Sequence, residues 1–228
     1  MKKDAINSQK DLKIILENKN EIITKAKYGP SKETRIPLYL EEDLSFFVAT
    51  IIGDGHLKKN KLQITIELSD LNLLLYIRKI CESTFNRRFN INSIKIREGR
   101  KQMYVLIMDS KAIYNLLKEV FEIPPGKKSH IVGVPTHIKN SEDKIKLSFL
   151  KGIMATEGGK RCRGYGLSTA SKQLWEDLTD LFNNAGIPLS KDKWTHKTYK
   201  KVYYGLSFRK EHMERLKWGC RSGQTGDV

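Results

Sequence analysis

Leu44-Ser45-Phe46-Phe47-Val48-Ala49-Thr50-Ile51-Ile52-Gly53-Asp54-Gly55-His56 is apolar almost all the way round. A helix with that pattern belongs in an interior rather than on a surface. Glu41-Glu42-Asp43 precede it, and acids suit the positive end of a helix dipole. The helix pattern stops abruptly at Gly53-Asp54-Gly55. There a carboxylate is poorly placed, because the end of a helix already carries partial negative charge. Gly-Asp-Gly is also ordinary turn chemistry, so one copy alone decides little.

A second copy decides more. Residues 143–155 again predict a largely apolar helix, and it ends in Thr156-Glu157-Gly158-Gly159-Lys160. Glu157 follows Asp54 by 103 residues, and a turn does not need its acid twice. Ala49, Gly53, Gly152 and Ala155 are small enough to let two such helices approach closely. Side by side, the helices bring two carboxylates together, and like charges resist joint ionisation. A divalent cation relieves both problems. Mg²⁺ is hard and takes carboxylates, helix-end carbonyls and waters; Mn²⁺ is expected to substitute. Asp54 and Glu157 are the candidate metal ligands.

Outward from these helices the pattern also repeats. Leu62, Ile64, Ile66 and Leu68 alternate with polar residues, as in a half-buried strand. Ser69-Asp70 opens a helix to about Phe85. Residues 93–97 and 103–108 predict two strands around a turn at 98–101, and Ser110 opens another helix. Residues 124–142, beginning Pro124-Pro125-Gly126-Lys127-Lys128, have no clear period and read as a linker. Strand 166–169, a helix from Ser171 to about Asn184, a hairpin over 191–208 and a helix over 210–218 follow the second motif. The order is αββαββα, written twice, in an α+β fold with pseudo-twofold symmetry. The units are therefore a repeat at 41–123, a linker at 124–142, a repeat at 143–218 and a frayed tail at 219–228. Residues 1–40 read as an N-terminal helical extension, with an amphipathic helix over 11–25.

The chain of 228 residues carries 42 Lys+Arg against 26 Asp+Glu, a net charge of +16. Its 39% hydrophobic content supports a real core, which excludes a disordered basic tail. The charge favours a polyanionic partner through counterion release, though it also suits a soluble surface. No apolar run is long enough to span a bilayer, and the N-terminus lacks a signal-type apolar stretch. Cys81, Cys162 and Cys220 form neither a disulfide framework nor a metal spacing. An intracellular, cytoplasmic protein is expected.

Residues 47–55 and 150–158 resemble the LAGLIDADG motif of homing endonucleases. The resemblance extends over roughly residues 41–218 and is closest to single-chain, two-motif members of archaeal type. It implies two four-stranded antiparallel sheets forming a saddle over DNA, with the motif helices at the centre. It also implies that Asp54 and Glu157, the last acids of the two motifs, bind divalent metal and are needed for cleavage. Lys160 matches a basic residue that some members place near the scissile phosphate. Ala155 stands where many motifs have Asp. Glu67 falls about where a Gln often orders active-site water.

With apolar strand positions turned toward the helices, their neighbours face the saddle. That assigns Gln63, Thr65, Ser93, Lys95 and Arg97 to DNA in the first half. It assigns Ser168, Lys193, Thr195, Lys197, Tyr203, Ser207 and Arg209 in the second. Lys101 and Lys200-Lys201, at hairpin tips, are candidate phosphate contacts. The same polar positions also suit a plain solvated sheet face. His56 suits a turn, and Trp175 suits the core. The expected function is metal-dependent, site-specific cleavage of double-stranded DNA by a monomer, intron-encoded and mobile. The alternatives are an intron RNA maturase, or a catalytically silent DNA-binding protein on the same fold. An intein is disfavoured, because neither end carries a splicing-block sequence.

Overall fold

The computed structural model describes residues 12–27, 32–94, 101–161, 164–198 and 200–217. It opens with three strands, β1 (Leu12–Glu17), β2 (Glu21–Ala26) and β3 (Thr34–Pro37). The first repeat holds α1 (Glu42–Gly53), β4 (Gly55–Lys58), β5 (Gln63–Leu68), α2 (Leu71–Phe85), β6 (Asn90–Ile94), β7 (Met103–Met108) and α3 (Lys111–Asn115), which runs on as a π-helical turn over Leu116–Val120. A short α4 (Thr136–Lys139) interrupts the linker. The second repeat holds α5 (Asp143–Thr156), β8 (Gly158–Arg161), β9 (Gly164–Thr169), α6 (Lys172–Asn184), β10 (Ser190–Thr195), β11 (Val202–Phe208) and a closing 3-10 helix, Lys210–Leu216. The order αββαββ thus occurs twice, closed by an α-helix in the first repeat and a 3-10 helix in the second.

Helices α1 and α5 pack against each other along their length. Every residue from Leu44 to Ile52 is buried, as an all-round apolar pattern requires. Close approach depends on missing side chains. A Cβ on Gly152 would lie 2.6 Å from the Phe46 carbonyl oxygen and 2.7 Å from Ala49 Cβ, and one on Gly53 would collide with Thr156. The serine hydroxyls then cross the seam. Ser45 Oγ donates to the Ile145 carbonyl at 2.8 Å, and Ser148 Oγ donates to the Glu42 carbonyl at 2.7 Å.

Each repeat covers one side of this pair with an antiparallel four-stranded sheet. The strand orders are β4-β5-β7-β6 and β8-β9-β11-β10, the same path taken twice. Leu57, Ile64, Ile66, Leu106 and Met108 turn one face of the first sheet to the helices. Leu167, Leu206 and Phe208 do so in the second. The helices behind the sheets start at side-chain caps, with Asp70 accepting from Leu73 N–H, Ser110 from Ile113 N–H and Ser171 from Leu174 N–H. Each cap satisfies a backbone donor that has no partner within its helix.

Two expected helices differ. Of the segment 11–25 expected as a helix, the described part is a hairpin, β1–β2, over 12–26. Asn18 Oδ1 accepts from the N–H groups of Asn20 and Glu21 and turns the chain back. Beyond the turn the apolar period is two. Ile22 and Thr24 point inward with Ile36 of β3, all fully buried, and β-branched residues suit that pleat. The near-helical spacing of Ile15 and Leu16 is incidental, since both are exposed on the edge strand. β3 packs on α2. The segment 210–218 forms a 3-10 helix only to Leu216, with no side-chain cap. Its one fully buried residue is Leu216, too little apolar face to hold a regular α-helix. The strand expected over 93–97 is Asn90–Ile94, and 95–100, 218 and the tail 219–228 lie outside the described residues. Among the described residues, no helix is long and apolar enough to cross a membrane.

Candidate metal centre and nucleic-acid interface

Asp54 and Glu157 terminate α1 and α5 in the same way. The Asp54 N–H donates to the Thr50 carbonyl and the Glu157 N–H to the Ile153 carbonyl at 2.8 Å. The following glycines are required by space. A Cβ on Gly55 would sit 2.5 Å from Ile51 Cα, and one on Gly158 would strike the Met154 carbonyl. Only a bare backbone turns back this tightly into β4 and β8.

Both acids keep an edge open to solvent, while protein crowds them from behind. That crowding raises both pKa values. Glu157 is pushed up to about 7, first by desolvation and then by the charge of Asp54, with Lys128 opposing. Desolvation raises Asp54, again opposed by Lys128. Lys128 is lowered by its own burial and raised by the two acids. Its Nζ donates to the Gly53 carbonyl at 2.9 Å, so it also occupies one exposed end of a helix dipole. A cation therefore already stands at this anionic centre.

The linker delivers that lysine. Gly126 N–H donates to the Leu57 carbonyl at 3.0 Å, and the Lys128 carbonyl accepts from Ile131 and Val132 N–H, each at 3.0 Å. Ser171 Oγ donates to the Val132 carbonyl at 2.6 Å. Nearly buried Asp177 accepts from Val134 N–H at 2.8 Å and pairs with Lys139 at 3.1 Å. The stretch read as an unpatterned linker is thus strapped to both repeats. Sequence alone does not separate Lys128 from exposed Lys127, because the selection is made by hydrogen bonds to distant residues.

Lys160 is exposed on edge strand β8, opposite Tyr165 in register. The cation whose charge acts on Glu157 is Lys128. Glu67 is exposed on the open face of the first sheet, one residue beyond Ile66, which pairs with Gly55. His56 is exposed on that face, opposite Thr65.

The remaining expected contacts divide. Gln63 lies on the open face and donates to Asp109 Oδ1 at 2.7 Å. Thr65 has the expected register but is 2% exposed, covered by its cross-strand partners His56 and Ile107, so it does not reach outward. Ser93 pairs with Tyr104, on the helix-side face, one residue out of the expected register. Lys95 and Arg97 lie outside the described residues. Lys101 is exposed just before β7.

In the second sheet Ser168, Tyr203 and Ser207 take the open face, Arg209 follows it exposed, and Lys197 is exposed in the turn after β10. Lys193 does not face outward with them. It pairs with Tyr204, holds its Nζ 5.8 Å from that ring's centre and lies on the helix side, as does Thr195, opposite Val202. The apolar-inward rule fails in β10 because Trp194 turns to the open face. Gly205, diagonal to it on β11 and paired with Asp192, leaves room for it, since a Cβ there would lie 3.0 Å from the Trp194 ring.

The chain has the fold of the LAGLIDADG homing endonucleases: two αββαββ repeats, each closed by a further helix, meeting at paired motif helices. Among solved structures it matches mesophilic variants of the homing endonuclease I-DmoI, with TM-score 0.56 and 18% identity, over 77% of this chain and 92% of that one. I-DmoI in complex with DNA and Mn matches at TM-score 0.55 and 19% identity, over 78% and 95%. No family model matches. Among curated proteins, the probable translation initiation factor IF-2 of Methanocaldococcus jannaschii is 30% identical over 78% of this chain, which spans 15% of that protein. The replication factor C small subunit of the same organism is 29% identical over 72% of this chain, which spans 8% of it. An A-type ATP synthase subunit from Pyrococcus abyssi is 31% identical over 56% of this chain, which spans 12% of it.

Proposed function

We propose that this chain is a metal-dependent endonuclease that cuts double-stranded DNA at one long, asymmetric site. The observation that carries the reading is the pair of carboxylates at equivalent ends of two packed helices, with Lys128 beside both. Two unlike repeats in one chain supply both acids, so a monomer suffices and an asymmetric target fits. Its place of work is the cell interior, with its DNA.

The relatives support a mobile origin. A translation factor, a replication factor and an ATP synthase component share no activity by name, yet each matches this chain over a small part of its length. A segment common to unlike proteins is what a self-propagating insert leaves behind.

The donor set fits a hard divalent cation. Two carboxylates and two helix-end backbones offer oxygen only, and the charge of Asp54 adds to desolvation in raising Glu157, a like-charge crowding that a cation would relieve. Asp54 and Glu157 would hold Mg²⁺ or Mn²⁺, which stabilises charge developing on a scissile phosphate and activates water. The chain's own groups do the rest. Lys128 opposes the rise of both carboxyl pKa values and faces negative charge entering the site. Lys160, three residues past Glu157 and exposed on the helix side of edge strand β8, is the second cation this reading assigns. The open sheet faces hold the duplex in register, with phosphate contacts positioning it and base-edge contacts specifying it.

The test is exposure of a randomised duplex library to the protein in Mg²⁺ and in Ca²⁺, followed by sequencing of bound and cut ends. One long site cut on both strands only in Mg²⁺ supports the reading. Enrichment without cutting in either cation contradicts it and indicates a silent DNA-binding protein.

A further inference from the structure

Trp194 is unusual among the residues of the second sheet's open face. It is 40% exposed, although an indole ring is the largest apolar surface a residue can hide. It is also held in place. Its ring lies across Gly205 and stacks on Tyr203, centres 6.0 Å apart and planes 19° from parallel. His196 meets the Tyr203 ring at 6.2 Å. Asp192, two residues earlier, shares this face and flanks the same glycine. The ring borders a hollow of about 900 Å³ that Arg161, Ser207, Arg209, Glu211 and His212 also line. Exposed Lys197, Lys200 and Lys201 stand at the adjoining hairpin tip. A rigid apolar ring in a basic setting, with a carboxylate acceptor beside it, lies where the duplex runs in the function proposed above, on which this inference rests.

We propose that Trp194 is a specificity-determining residue that receives a thymine 5-methyl group in the major groove of one half-site. An A·T pair offers Trp194 the thymine methyl as an apolar contact, and an adjoining cytosine offers Asp192 its N4 amino group as a donor. An arginine in their place would instead suit guanine. In the first sheet the inner open-face position, Thr65, is covered by its neighbours, so the two half-sites are read by unlike means.

The experiment is a uracil scan of the target selected from the duplex library. Uracil differs from thymine only in lacking the methyl group. Each thymine is replaced in turn, and binding is measured in Ca²⁺ for the wild type, Trp194→Ala and Trp194→Phe, each checked for an unchanged melting curve. The wild type should lose about fourfold at one or two thymines confined to one arm, the worth of a buried methyl group. Trp194→Ala should bind thymine and uracil equally there while keeping its sensitivity elsewhere, and Trp194→Phe should keep part of the difference. A flat wild-type scan overturns the inference, as does a Trp194→Ala protein that weakens on thymine and uracil alike. Failure to select any duplex would remove the proposed function itself, and this inference with it.

Discussion

Ser45 and Ser148 make the same hydrogen bond in opposite directions across the central helix pair. Each hydroxyl donates to a backbone carbonyl in the first turn of the other helix, at 2.8 Å and 2.7 Å. The two serines are 103 residues apart, as are Asp54 and Glu157. The seam that aligns the helices therefore has the same twofold relation as the acids at their ends.

Ser45→Ala and Ser148→Ala should each cost about 1 kcal/mol of stability, the usual net worth of such a bond. Each leaves a carbonyl without its partner, so neither should stabilise. Urea denaturation of the single variants measures this. Gly152→Val is a harsher change, because the Phe46 carbonyl and Ala49 occupy its space; it should leave little folded protein. Phe149→Ala, at a fully buried position, should cost about 3–5 kcal/mol.

Lys128→Met should cut DNA at least about a hundredfold more slowly, a typical loss for one charged group aimed at a reacting phosphate. Lys128→Arg should recover part of the rate. Removing the cation also removes what opposes the rise of Glu157. The Glu157 carboxyl should then titrate above its wild-type position in the metal-free protein, read by carbon-detected NMR. An unchanged titration would mean that Lys128 does not act on the acid.

Glu157 makes the metal-free protein less stable as pH rises. Its folded pKa is about 7 against an ordinary 4.5, so between those values the folded state holds more protons than the unfolded state. Stability attributable to this group is greatest below pH 4.5 and falls as pH rises to about 7. Glu157→Gln should therefore melt higher than the wild type at pH 8, and the advantage should vanish near pH 4.5. Thermal melts in a chelating buffer across that range measure the difference.

The N-terminal sheet brings Lys25 and Lys32 to a small cleft of about 100 Å³ that Arg87, Asp109 and Lys111 also line. Asp109 is bonded to Gln63 on the open face, so the cleft adjoins the outer end of the first half-saddle. A Lys25→Ala, Lys32→Ala double variant should bind less steeply with salt, the log–log slope falling by about one for each phosphate no longer neutralised. An unchanged slope would limit this sheet to covering α2.

The fold was largely legible because the decisive signal is a repeat. Apolar helix, acid and glycine recur at one spacing, and the capping residues Asp70, Ser110 and Ser171 mark the outer helices. The hairpin at 12–26 was not legible, since Leu12, Ile15, Leu16, Ile22 and Ile23 satisfy a helical period until the Asn18 turn is known. Of the site, the two acids could be read locally. Lys128 could not, because its place depends on Ser171 and Asp177, more than 40 residues away. The facing of Lys193 was inverted because one glycine, Gly205, lets a tryptophan turn outward.

The most direct test of the central claim is strand-by-strand cleavage of the selected target by Asp54→Asn and Glu157→Gln proteins in Mg²⁺. Both variants should still bind the duplex in Ca²⁺, and both should lose cleavage by about a thousandfold or more, the scale of removing a principal charge stabiliser. Cutting at the wild-type rate by either variant would contradict the assignment of the acidic pair.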